Sequence, residues 1–278
     1  MNFERIATQP GLHLLHENPC SLLSFGKLSL EPGDTFEGNT GHCEGLIVTL
    51  CGQARVRACG VEFEQVGGRR SVFDGRPHAV YLPPDCTYEV SASEDGIPFE
   101  AAVPMARADD GSAPFLIGPD DVWSTKRGIA NFSEEVCEIL VQGQHPGRRI
   151  RRLVVGETLT PSGNWSGYPP HRHELDDPPN EAAMEEMNYF RVSPGDGWGL
   201  AKHYSDDGDV DSVYTVADNS ILMMPKGYHT VVSAPGCVTY CLWFLAGETR
   251  SRAARVDPRT QWVTRAIPMI RNMKENLA

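Results

Sequence analysis

Apolar and polar positions along this chain alternate in short runs and rarely recur with the 3.6-residue period of an amphipathic helix. Such runs cover residues 45–50, 54–57, 79–82, 88–90, 150–155, 188–192, 220–224 and 238–244, and Gly, Pro, Asn and Asp separate them. Frequent short strands bounded by turn residues predict an all-β sandwich or barrel. One arrangement occurs twice: strand, glycine turn, strand, then an apolar strand ending in proline. The closing strand is Ala79-Val80-Tyr81-Leu82-Pro83 in the first half and Ile221-Leu222-Met223-Met224-Pro225 in the second. This coarse repeat predicts two tandem units. Residues 106–133 read as a loop, so the boundary falls near 125, dividing the chain into 1–125 and 126–278. Residues 134–140 fit either a strand or a helical turn. A weak helical pattern after Asp257 predicts a short C-terminal segment over 266–278.

With 40% hydrophobic and 22% charged residues, the chain can bury a sizeable core without staples. Its net charge of -12 argues against a nucleic-acid partner. The one dense basic run, Arg148, Arg149, Arg151 and Arg152, reads as a solvated face or subunit contact. No apolar run approaches the ~20 residues of a membrane span, and the first residues lack a signal-peptide pattern. A cytoplasmic protein with no membrane partner is therefore expected. The eight cysteines form no C-x-x-C pair and are expected to be reduced core thiols. Cys237 and Cys241 could share a strand face as metal ligands, but their apolar neighbours favour packing.

The chemistry concentrates in Tyr168-Pro169-Pro170-His171-Arg172-His173. On a strand, residues i and i+2 share a face, so His171 and His173 present two imidazoles side by side. Glu185-Glu186 follows, at the start of a strand-like run, and Pro225-Lys226-Gly227-Tyr228-His229 delivers a third histidine after a turn. Three imidazoles and a carboxylate suit one divalent first-row ion per chain, zinc first, with manganese or iron as alternatives. His42 and His78, in the first half, have no partner at i+2. Trp165, Trp198 and Trp243 read as core, and Gly156 and Gly163 as turn glycines.

His171, His173, Glu186 and Gly195, with Pro225, Gly227 and His229, resemble the two metal motifs of the cupin superfamily. The His-to-Glu gap is longer than usual, and the acidic insert between them resembles a loop over a barrel mouth. The run Val155-Gly156-Glu157-Thr158-Leu159-Thr160-Pro161-Ser162-Gly163-Asn164-Trp165-Ser166-Gly167-Tyr168-Pro169-Pro170-His171-Arg172-His173-Glu174 is similar to the 5-deoxy-glucuronate isomerase family of inositol catabolism. That family carries the same long insert. Further matches are Gly68-Arg69-Arg70-Ser71-Val72-Phe73-Asp74-Gly75, Tyr204-Ser205-Asp206-Asp207 and the Pro225–His229 turn. Asn188, where the family usually has tyrosine, and Lys202-His203 are departures.

The resemblance implies a bicupin: two tandem, jelly-roll-like cupin barrels, the first metal-free and the second metal-binding. It implies Glu186 rather than Glu185 as the fourth ligand, because the family's ligand immediately precedes the aromatic strand. It further implies an aldose–ketose isomerisation of 5-deoxy-D-glucuronate to 5-dehydro-2-deoxy-D-gluconate, metal-assisted through an enediolate. Glu185, His203 and Glu174 are then candidates for proton transfer, and Tyr204 or Tyr240 for donation to a substrate oxygen. Arg191, Lys202 and Lys226 are candidates for holding the sugar acid's carboxylate. Arg172 is a weaker one, because it alternates with His171 and His173. The partner is a small-molecule sugar acid, and a homo-oligomer is expected. Two other classes use the same fold: a metal-containing cupin that binds a sugar acid without turnover, and a cupin dioxygenase.

Overall fold

The structure, a computed structural model, describes residues 2–275. In chain order the strands are β1 (Phe3–Arg5), β2 (Gly11–Leu14), β3 (Leu23–Leu30), β4 (Thr35–Asn39), β5 (Cys43–Cys51), β6 (Gln53–Ala58), β7 (Val61–Gly67), β8 (Ala79–Leu82), β9 (Thr87–Ala92), β10 (Phe99–Arg107) and β11 (Phe115–Ile117). They continue with β12 (Trp123–Arg127), β13 (Glu134–Leu140), β14 (Val154–Thr160), β15 (Trp165–Arg172), β16 (Met184–Ser193), β17 (Gly199–Tyr204), β18 (Asp211–Val216), β19 (Ser220–Met224), β20 (Tyr228–Ser233), β21 (Val238–Gly247) and β22 (Arg255–Val256). A helix, α1 (Trp262–Glu275), closes the described chain. It covers most of the expected C-terminal segment; residues 276–278 lie outside the described residues.

Two pairs of sheets build two barrels. The first barrel combines the order β11-β8-β5-β10-β3-β2 with β4-β9-β6-β7, and the second combines β1-β19-β16-β21-β14-β13-β12 with β18-β17-β20-β15-β22. Where strands neighbour each other they run antiparallel. The division expected at residue 125 falls inside β12, and β1 crosses to pair with β19 of the second barrel. Residues 106–133 are less loop-like than their sequence suggests. β11 extends the edge at β8, and β12 extends the edge at β13.

Side-chain parity assigns the cores. In the first barrel, Leu28, Ile47, Val56, Val80, Val90 and Phe99 fill the interior with an apolar cluster. The opposite faces of the same strands present Phe25, Leu46 and Val48 to the second barrel, where they join Met187, Tyr189, Leu242 and Phe244. Polar ties cross this junction. Arg69 donates to both carboxylate oxygens of Glu157, at 3.0 and 3.1 Å, and Tyr240 donates to Glu157 at 2.9 Å. The Glu44 carboxylate accepts from the amides of Arg151, Arg152 and Leu153. That use of the amides delays the strand expected from residue 150, so β14 begins at Val154.

The basic run is tied into local ion pairs: Arg149 with Asp110, and Arg151 and Arg152 with Glu248. Six cysteines are free, as expected of reduced thiols. Cys59 and Cys86 are an exception, joined as a disulfide across a Cα separation of 5.3 Å. No C-x-x-C spacing could have flagged this pair, because the first-barrel fold brings together residues 27 apart. Among the described residues no helix is long and apolar enough to cross a membrane.

Candidate metal centre

The second barrel encloses a cavity of about 360 Å³, near the lower end of the ~300–1,000 Å³ usual for small-molecule sites. His171, His173, Glu186 and His229 meet on its wall. Local sequence explains how. Pro169 and Pro170 lack amide hydrogens, so β15 leaves its ladder with β20 after Ser166 and rejoins at His171, directly opposite His229. His173 follows at the end of β15, where its carbonyl accepts from the amide of Met184 at the start of β16. Glu186 comes from β16 and His229 from β20. Gly227, in the turn before His229, has φ +96°, and a Cβ there would lie 2.8 Å from the Tyr204 carbonyl oxygen. This position requires glycine on both counts.

The Nε2 atoms of His229 and His173 lie 3.2 and 3.9 Å from the same oxygen, Oε2 of Glu186. The rings of His171 and His229 are 4.5 Å apart, centroid to centroid. One ligand atom each from His171, His173 and Glu186 fall within 4.8 Å of one another. Ligands about 2.0–2.2 Å from a common ion would be spaced on this scale. In its alternative amide orientation, Asn188 donates to the other Glu186 oxygen, Oε1, at 3.0 Å. That contact fixes the carboxylate's orientation from behind.

Charge states within the cluster suit ligation. Burial, reinforced by the neighbouring imidazoles, pushes His171 down to about 3. Burial also lowers His173. Burial alone would raise Glu186, but the three imidazoles reverse it and bring the carboxyl to about 2. In His229 burial is outweighed by the charge and hydrogen bond of Glu186, and the pKa rises. The cluster thus favours neutral His171 and His173 and an ionised Glu186, the forms that bind metal.

The other residues singled out from sequence are distributed differently. Glu185 faces the opposite side of β16, where its carboxylate accepts from the amides of Ser21, Leu22 and Leu23 and from the Ser21 hydroxyl. Adjacent strand residues alternate faces, so the sheet removes Glu185 from the cavity. Tyr240 faces the inter-barrel core for the same reason, bound to Glu157. Arg191 pairs with Glu100 and Asp218 at the junction. Lys202 pairs with Asp211, and Tyr204 donates to Asp257 at 2.5 Å, both on the outer face of the second barrel. Lys226 borders the cluster, but its ammonium is directed at Asp207 and Asp209. Arg172 points away from the cavity to Glu181 and Asp206. Glu174 lies beside it, 3.7 Å from its guanidinium. His203 is buried next to His229 across β17 and β20, and its Nε2 lies 2.7 Å from the Lys226 carbonyl.

Sequence reasoning passed over several cavity residues. Glu134 on β13 accepts from the Gly167 amide at 3.0 Å, and burial raises its pKa despite that bond and the charge of Arg127. Arg127 and Arg252 also line the cavity. Trp243, expected in the core, is only partly packed against it and forms part of the cavity wall. Gly156 is not a turn glycine: it lies within β14, where the Trp243 indole occupies the space of a side chain. Glu134, Val136 and Glu138 share one face of β13, which is legible only once residues 134–140 are assigned as a strand, and they also fit a helical turn.

Two tandem antiparallel barrels, one carrying His171, His173 and Glu186 with His229 beside them in its cavity, define a bicupin with a candidate metal centre. The fold is shared with oxalate decarboxylase of Lactobacillus farciminis, at a TM-score of 0.64 and 11% identity over 90% of this chain and 87% of that one. The chain belongs to the KduI/IolB family, whose profile matches residues 7–263. It is 36% identical to 5-deoxy-glucuronate isomerase of Geobacillus kaustophilus over 84% of this chain and 83% of that protein. It also superimposes on the crystal structure of an IolB-like protein from Salmonella typhimurium LT2, with a TM-score of 0.88 and 27% identity over 95% and 99% of the two chains.

Proposed function

We propose that this chain is a metal-dependent aldose–ketose isomerase that converts 5-deoxy-D-glucuronate to 5-dehydro-2-deoxy-D-gluconate in inositol catabolism. The observation that carries the reading is the convergence of His171, His173, His229 and Glu186 in a sugar-sized cavity of a KduI/IolB family member. These four residues would hold one divalent ion, with zinc the first candidate and manganese or iron the alternatives. When bound, such an ion supplies a Lewis acid that polarises the substrate carbonyl and stabilises charge on its oxygen.

The chain's own residues do the rest. Asn188 holds the Glu186 carboxylate in place. The reaction moves a proton between adjacent carbons, which needs a group that takes the proton and returns it. Glu134 faces the cavity, and burial increases its affinity for a proton. It replaces Glu185 in that role. His203, behind His229, acts as a positioning residue rather than a substrate contact.

The first barrel has an interior filled by apolar side chains, which supports a metal-free supporting role. A homo-oligomer in a cytoplasmic setting completes the proposal; the six free thiols fit that compartment, and the Cys59–Cys86 disulfide argues against it. Metal-loaded protein incubated with 5-deoxy-D-glucuronate and followed by NMR is expected to accumulate the ketose. No conversion with the metal fully loaded overturns the reading. Metal analysis is expected to show loss of the ion in His171→Ala and His229→Ala, and full retention in both would rule out this ligand set.

A further inference from the structure

The cations expected to hold a substrate carboxylate are committed elsewhere: Arg191 at the junction, Lys202 and Lys226 with outer aspartates. The cavity has a different cationic feature. Arg127, at the end of β12, and Arg252, after β21, both line it. The Nη2 atoms of the two guanidinium groups donate to one and the same oxygen, Oε1 of Glu138, at 2.7 and 2.8 Å. Glu138 is largely buried, whereas the two arginine side chains keep 45% and 32% of their exposure. Two guanidinium groups therefore converge on one carboxylate oxygen, and the charge of Arg127 also reaches Glu134. A guanidinium has five N–H donors, and each of these uses one on Glu138. Arg252 also lies over the Trp243 indole, 5.6 Å from its ring. The indole itself is fixed by donation to Thr158 Oγ1 at 3.0 Å. Such an arrangement holds two guanidinium groups together, pre-oriented, with donors left over.

We propose that Arg127 and Arg252, paired on Glu138, form the carboxylate-binding end of the cavity. A uronic acid would bind with its acid group on the two guanidiniums and its carbonyl end toward the histidine cluster. This pair would select sugar acids over neutral sugars, since a hydroxymethyl group in place of the carboxylate cannot accept the remaining guanidinium donors as a bidentate anion does. The assignment rests on the sugar-acid reading of the cavity, but its test does not require turnover.

Calorimetry with D-glucuronate and D-glucose, which differ at the terminal carbon, measures the preference directly on metal-loaded protein. The wild type is expected to favour glucuronate at least tenfold. Arg127→Gln and Arg252→Gln should each weaken glucuronate binding about tenfold with glucose unaffected, and the double variant should lose the preference. Arg252→Lys should recover part of it. Both positions are partly exposed, and equal melting temperatures would check that the variants fold. In turnover, KM for the deoxyuronate should rise in the double variant and account for the larger part of its loss in kcat/KM. A wild type without preference, or a double variant that retains it, overturns the assignment. If the wild type prefers glucuronate, the double variant does not, and no ketose forms from the deoxyuronate, the isomerase reading falls while this one stands.

Discussion

Glu185 and Glu186 are neighbours on β16, yet their carboxylates serve opposite faces of one sheet. Glu186 Oε2 lies 3.2 Å from His229 in the cavity, while Glu185 accepts from the Ser21 and Leu22 amides, each at 2.7 Å, at the barrel junction. Substituting each by glutamine separates two functions that adjoin in sequence. Glu186→Gln is expected to lose most bound metal and most activity with a small change in melting. Glu185→Gln should keep its metal, but weaken the anchor of the Ser21–Leu23 segment by about 1–3 kcal/mol. Metal analysis and urea denaturation on the same two preparations check both. Full metal content in Glu186→Gln would remove it from the ligand set.

Glu134→Gln tests the proton-transfer assignment. A glutamine oxygen can still accept from the Gly167 amide, so β15 and the metal cluster should persist. The side chain can no longer take a proton from carbon. A fall in kcat of about 10²–10⁴-fold is expected, with unchanged metal content. A kcat within threefold of wild type would assign the proton transfer elsewhere.

How far these residues could be found from sequence depended on how locally they are related. The His171–His173 spacing is a two-residue pattern, and strands such as β16 and β21 show themselves by apolar runs. The faces of Glu185 and Glu186 follow from strand parity once the register is known, but the register is set by β19 and β21. β12 is exposed along its length and carries no alternation to read, so Arg127 was hidden within an expected loop. Arg252 and its partner Glu138 are 114 residues apart, and only the closure of the second barrel brings them together. Arg191 and Lys202 had the right charge, but they are occupied by acidic residues that only the sheets bring near: Glu100, 91 residues from Arg191, and Asp211, on the strand beside Lys202.

Glu100 gives the junction a pH dependence whose sign can be derived. Burial would raise its pKa, but Arg191 and the fully buried Lys27 overcome that and lower it. A carboxyl lowered in the folded state stabilises above its unfolded value, about 4.3. That stabilisation declines as pH falls through the lower, folded value. Glu100→Gln should therefore be less stable than wild type at pH 7 by about 1–3 kcal/mol, and the gap should close on acidification. Urea midpoints measured from pH 7 down to the acid limit of folding check this; a gap independent of pH would mean the ion pairs contribute little.

Gly156 determines where the Trp243 indole can lie. The two residues face each other in register on β14 and β21, and a Cβ on residue 156 would sit 2.1 Å from Trp243 Cζ2 and 2.8 Å from the Cys137 carbonyl oxygen. An alanine can be accommodated only by moving the indole or spreading β13 from β14. Either shift disturbs the cavity wall that seats Arg252, while the metal cluster draws its residues from β15, β16 and β20 and its flanks. Gly156→Ala is thus expected to keep its metal, lose about 1–3 kcal/mol of stability through overpacking, and bind D-glucuronate more weakly. Adding Trp243→Phe removes Cζ2 and Cη2, the atoms in conflict, and should return part of the lost stability, giving a coupling between the two sites in a double-mutant cycle. If Gly156→Ala unfolds within about 0.5 kcal/mol of wild type, or if the two changes are additive, the indole is not what requires glycine at this position.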